Sequence, residues 1–169
     1  YIWNNIIYGF SGASSIGIDV VPDYGTNPSF VFNNTVINSN RGIGTGYGDT
    51  KAVNNIVQGS ADTFAFDGVF ASGSNYNTTD INDNTQGEFN TNPANDRVNQ
   101  TMTFVDAAGN DYHLMFNDAG AKNAGTDLSA DTGYAFNTDI DGGTRAGTWD
   151  IGADDVGATL VMTYSIGTS

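Results

Sequence analysis

Val31-Phe32-Asn33-Asn34-Thr35-Val36 and, 21 residues further on, Ala52-Val53-Asn54-Asn55-Ile56-Val57 are two copies of one phrase. Two apolar residues lead into two asparagines, and a β-branched pair follows. An earlier copy is Ile2-Trp3-Asn4-Asn5-Ile6-Ile7, and a degenerate one comes later as Ser74-Asn75-Tyr76-Asn77-Thr78. The first Asn falls at 4, 33, 54 and 75, giving steps of 29, 21 and 21. A second phrase keeps the same period with Ile18, Ile43 and Phe64, in Gly-Ile-Asp, Gly-Ile-Gly and Thr-Phe-Ala contexts. The long first step contains two insertions of four, at Ser11-Gly12-Ala13-Ser14 and near Pro22 to Pro28. Both stretches carry turn chemistry.

A fixed period is the signature of a repeat architecture. Helical repeats need Leu and Ala at 3.6 spacing, which is absent, and a propeller blade needs about 40 residues. What fits is an all-β parallel β-helix with coils of about 21 residues. Each coil supplies two or three short strands, stacked about 4.8 Å from their equivalents in the next coil. Stacking sets like residues above one another, so Asn33, Asn54 and Asn75 are expected to form a ladder at a tight corner. Their amides would bond to one another and to backbone. Asn also tolerates the left-handed backbone that such a corner needs.

Composition narrows the function. The 169 residues are 38% hydrophobic and only 14% charged, with 22 Gly, yet 2 Trp, 8 Tyr and 10 Phe argue for a packed interior rather than disorder. Five basic residues against 19 acidic give a net charge of −14. No basic patch exists to neutralise phosphates, which excludes nucleic acid, and an anionic membrane surface is excluded for the same reason. No run reaches the roughly 20 apolar residues of a membrane helix, so no membrane insertion is expected. Without cysteine there are no disulfides and no Cys-ligated zinc. The chain opens at Tyr1 inside a strand pattern, which reads as a piece of a longer chain. It divides into regular coils over 1–80, an irregular section and cap over 81–157, and a terminal strand or linker over 158–169.

Downstream the period gives way to an ordered series: Phe104-Val105-Asp106, Asp111-Tyr112-His113-Leu114, Asp118-Ala119-Gly120-Ala121, Thr138-Asp139-Ile140-Asp141-Gly142-Gly143-Thr144-Arg145, and Asp150-Ile151-Gly152-Ala153. Together with the Asn-Asn coils, this series resembles the C-terminal region of bacterial right-handed parallel β-helix repeat surface proteins of the choice-of-anchor type. Two departures stand out. Asn117-Asp118-Ala119-Gly120-Ala121 takes the place of a Ser-Pro-Ala turn, and Asp154-Asp155 that of a Tyr-Glu-like ending. The resemblance implies a right-handed coil and an extracellular or cell-surface location. It implies no single activity, because one fold hosts many.

Candidate chemistry is sparse. Asp139 and Asp141 stand at i and i+2 ahead of Gly142, a spacing that points two carboxylates at a calcium ion, although the later ligands of an EF-hand loop are missing. The alternative is a Gly turn in which Asp caps backbone amides, with Arg145 pairing an Asp. His113 is the only histidine and alternates with Tyr112 and Leu114 as in a strand. Asp19, Asp62 and Asp67 fall on neighbouring coils, but the Ile18 offset shows no continuing carboxylate row. No catalytic residue is assigned. The expected function is therefore a non-enzymatic structural or adhesive module: a stalk, a fibre subunit or a glycan-contacting surface. Polysaccharide or other copies of the chain are its expected partners. A polysaccharide lyase or glycoside hydrolase with an active site partly upstream is the alternative, and an end-to-end filament a further one. The last is suggested by the strand-like run Thr159 to Ile166 and the abrupt start.

Overall fold

The computed structural model describes residues 1–21, 28–46, 48–62, 64–82 and 94–160. Most of the Pro22 to Pro28 insertion and of the Thr159 to Ile166 run lies outside them. The chain is all-β, and its one described helical piece is a 3-10 turn at Ala107–Gly109.

The first ten strands are β1 (Ile2–Trp3), β2 (Ile6–Tyr8), β3 (Ile16–Val20), β4 (Ser29–Phe32), β5 (Thr35–Ile37), β6 (Arg41–Thr45), β7 (Thr50–Val53), β8 (Ile56–Gln58), β9 (Phe66–Asp67) and β10 (Thr78–Thr79). They form three parallel sheets, in the orders β1-β4-β7, β2-β5-β8-β10 and β3-β6-β9. Registers follow the repeat: Ile2 beside Val31, Val31 beside Ala52, Ile6 beside Thr35, Thr35 beside Ile56, and Ile18 beside Ile43.

Two registers correct the sequence expectation. Ile43 stands beside Phe66, not Phe64. Asn75 stands beside Val53, so Tyr76 rather than Asn75 takes the place after Asn54. The third turn is thus longer by one or two residues than the 21-residue period.

Asparagine ends the strands. Asn4, Asn33 and Asn54 have φ of 52°, 51° and 57°, and Tyr76 completes that row at 59°. A second corner repeats the device with Gly9, Asn38 and Gly59 at 82°, 52° and 74°. These residues show no obvious pattern in sequence, because Gly and Asn alternate in one role.

Side chains alternate across each strand. Ile18, Val31, Val36, Ile43, Ala52, Val57 and Phe66 turn inward to one core between the three sheets. The interior is narrow at the third sheet: a methyl on Gly42 would collide with Val57 Cγ1 and the Ala65 carbonyl oxygen. The opposite faces of the first two sheets are also covered. Phe30, Phe32 and Val53 pack against Leu128 and Trp149, while Ile37 and Ile56 pack against Met102, Phe104, Tyr112, Leu114 and Ile151. Strands buried on both faces read as continuous apolar runs, which is why these do.

The covering layer is the C-terminal section. It contains one antiparallel pair, β11 (Phe104–Asp106) with β12 (Asp111–Leu114), and otherwise turns and isolated bridges. It runs along the asparagine corner and bonds to three successive repeats. Asn4 Nδ2 donates to the Thr138 carbonyl (2.7 Å), Ala153 N–H donates to Thr35 Oγ1 (3.0 Å), and Gly152 N–H donates to the Asn54 carbonyl (2.8 Å).

Candidate metal centre

Thr138 and Thr144 form an antiparallel bridge, so the chain doubles back over Asp139-Ile140-Asp141-Gly142-Gly143. Gly142 has φ of 79°, and Asp139 Oδ1 accepts from the N–H of Asp141 (3.1 Å) and of Gly143 (2.7 Å). This is the Asp-capped Gly turn. The Ile140 N–H donates to the Ala153 carbonyl (2.9 Å), which sets Asp154 beside the turn. One oxygen from each of Asp139, Asp141 and Asp154 lies within 4.8 Å of the others. Asp139 and Asp154 are 6% and 8% exposed, and Asp141 is exposed. Asp154 lies 13 positions from Asp141 with no repeating pattern between them, so only the fold brings it in.

His113 on β12 also reaches this cluster. Its Nδ1 lies 2.6 Å from Asp111 Oδ1 and its Nε2 lies 3.4 Å from Asp141 Oδ2. The hydrogen bond to Asp111 raises the His113 pKa above its ordinary 6.5, aided by the charges of Asp154, Asp141 and Asp111 and opposed by burial. Burial raises the Asp154 carboxyl, opposed by the N–H donated from Leu114 (2.8 Å). Both groups hold their protons more tightly in the folded chain than in the unfolded one. The His113 contribution is complete below about pH 6.5 and fades as pH rises through the higher folded value. Thermal stability should therefore fall as pH rises above about 6.5, and His113→Gln should flatten that fall. A variant with the same slope as the parent, read by calorimetry across this range, would remove His113 as its cause.

Arg145 sits behind the cluster and is 4% exposed. Its Nε donates to the Thr138 carbonyl, Nη1 to that of Asp150, and Nη2 to those of Gly152 (2.9 Å) and Ala153 (2.7 Å). Its charge is met by Asp155 Oδ2 at 3.5 Å, and its guanidinium lies 5.4 Å from the Trp149 ring centre.

The expected ladder residues occupy two different places. Asn54 Nδ2 donates to Asn33 Oδ1 (3.2 Å) and to the Thr126 carbonyl (2.8 Å). Asn75 Oδ1 instead accepts from the N–H groups of Tyr76 and Asn95. The continuous row is made by the second asparagines. Asn5 Nδ2 donates to Asn34 Oδ1 (2.9 Å), Asn34 Nδ2 to Asn55 Oδ1 (3.0 Å), and Asn55 Nδ2 to Asn77 Oδ1 (2.9 Å). Each backbone N–H joins the same acceptor. Asn34, Asn55 and Asn77 are fully buried.

The strand carboxylates are largely engaged. Asp19 stands beside Gly44 and Gly44 beside Asp67, so two carboxylates share a row, two strand spacings apart, in which the sequence showed no continuity. Arg41 binds Asp67 at 2.7 Å and Asp62 at 3.2 Å. Lys51 binds Asp131 at 2.9 Å. Comparisons with protein-family models, with curated proteins and with solved structures return no match.

Proposed function

We propose that the three parallel sheets are the faces of a right-handed parallel β-helix, and that the chain is a non-enzymatic structural or adhesive module, secreted from or displayed on a bacterial cell. Polysaccharide is its leading partner, with copies of itself as the alternative. The observation that carries this reading is the buried, hydrogen-bonded row Asn5-Asn34-Asn55-Asn77 running across the parallel strands. Such a row, with the sheet ladders beside it, makes a stiff body that holds its outer faces at fixed spacing. The sequence resemblance supports the handedness and the location. Among the described residues no helix is long and apolar enough to cross a membrane.

The hydrolase alternative draws on Asp19 and Asp67. Their separation of roughly two strand spacings, about 9.6 Å, approaches the carboxylate distance of inverting glycosidases. Against it, Arg41 holds Asp67 in an ion pair. A panel of neutral and acidic polysaccharides decides between the readings. The structural reading expects retention on one or more glycans with no new reducing ends and no unsaturated products. Turnover that disappears in Asp67→Asn would overturn it.

Calcium held by Asp139, Asp141 and Asp154 accompanies this proposal, since hard oxygen ligands suit that ion. Millimolar calcium should raise the melting temperature by a few degrees, and Asp141→Asn should abolish the rise. An equal melting temperature with calcium and with a chelator would end the calcium reading and leave the turn purely structural.

A further inference from the structure

We infer that the segment 115–122, with Arg97 against it, is the contact for an isolated uronate on an otherwise neutral polysaccharide. This rests on the glycan reading above and narrows it to one surface and one sugar chemistry.

The five basic residues fall into two groups. Arg41, Lys51 and Arg145 each face a carboxylate. Among the described residues Arg97 and Lys122 face none, and both bind the same segment. Arg97 Nη1 donates to the Gly120 carbonyl (2.9 Å) and Nη2 to that of Ala119 (3.3 Å). Lys122 Nζ donates to the Phe116 carbonyl and stands 3.9 Å from the centre of the Phe116 ring. Carbonyls and a ring face orient a cation without cancelling its charge. Donors are left over as well. A guanidinium has five N–H groups and an ammonium three, and only part of each set is engaged here. The carboxylate of the segment is turned to other work. Asp118 is 5% exposed and accepts from the N–H groups of Thr103 (2.7 Å), Ala121 (2.7 Å) and Lys122 (3.2 Å).

The apolar half of the surface lies beside these cations. Phe116 is 79% exposed, and its neighbour Met115 is 37% exposed. A uronic acid meets both halves. The C–H face of its ring suits the electronegative face of the phenyl ring, and its carboxylate suits the unused N–H donors. The net charge of −14 limits the partner further. A continuous polyanion would be repelled along the acidic surface beyond the reach of two cations. A neutral chain with scattered uronates brings its charge only where it is matched.

The test titrates the full chain, at about 0.15 M salt, with glucuronoxylan and with the same polymer after reduction of its carboxyls to alcohols. The native polymer should bind about tenfold more tightly than the reduced one. Lys122→Gln and Phe116→Ala, whose contacts lie at the surface, should each weaken binding about tenfold at an unchanged melting temperature. Lys51→Gln removes the same charge from a paired site and should leave binding as it was. Equal binding of the two polymers, indifference to both variants, or an equal loss in Lys51→Gln would overturn the inference. So would retention of neutral glycans alone, and in each of these cases the glycan reading stands. Poly-glutamate bound as tightly, with the same response to the variants, would replace the sugar with any carboxylate chain. Binding to no glycan at all would sink the inference and the glycan reading together.

Discussion

Arg145→Met is expected to destabilise the protein by about 3–5 kcal/mol, the range for breaking a buried ion pair from one side. The substitution keeps the length and much of the volume of the side chain but removes every donor. The carbonyls of Thr138, Asp150, Gly152 and Ala153 lose the guanidinium, Thr138 and Ala153 keeping only Asn4 Nδ2 and the Ile140 N–H, and Asp155 is left as a buried charge without its cation. Arg145→Lys should recover only part of the loss, because one ammonium cannot serve four carbonyls set around a planar fork. Urea unfolding followed by Trp149 fluorescence reads the effect directly, since Trp149 packs beside the guanidinium. A loss below about 1 kcal/mol would mean that water replaces the guanidinium and that the section is not organised around it.

Asn55→Leu is the second large effect, with an expected loss of at least about 3 kcal/mol. Leucine is close in size, so the change isolates hydrogen bonding. Asn55 Nδ2 donates to the carbonyls of Val31 and Val53 and to Asn77 Oδ1, and its Oδ1 accepts two N–H groups from Asn34. All of these groups are buried, and each unmet one costs about 1–3 kcal/mol, not additively. The same substitution at Asn5 should cost under about 1 kcal/mol, because that end of the row is open to water. Equal costs at the two positions would refute the view that burial gives the row its strength.

The comparison of these two asparagines shows what the sequence discloses. The repeat was legible because stacked strands demand like residues at like positions, and the steps of 29 and 21 are the observed registers of β1, β4 and β7. Legibility failed at the third turn. Residue type aligns Asn75 with Asn54, but Asn77 must enter the buried row, so the register is set there. Tyr76 then takes a left-handed backbone that a tyrosine seldom adopts. Phe64 fits the period but Phe66 takes the place beside Ile43 for a related reason: two phenylalanines flank Ala65, and the length of the preceding segment decides which one pairs. The candidate metal centre was half legible. Asp139 and Asp141 are neighbours in sequence, whereas Asp154 and His113 join them only through the Ile140 to Ala153 hydrogen bond and the placement of β12.

The C-terminal section, which bonds to Asn4, Thr35 and Asn54 alike, bears on how the chain is made. A stack held only by contacts between adjacent turns can form piece by piece as it leaves the ribosome. Here Asn4 waits for Thr138, 134 positions later in the chain, and the outer faces of β4, β5, β7 and β8 stay uncovered until residues 102–153 have emerged. Until that section emerges the nascent chain carries exposed Phe, Ile and Val, the state in which parallel strands are most prone to pair wrongly.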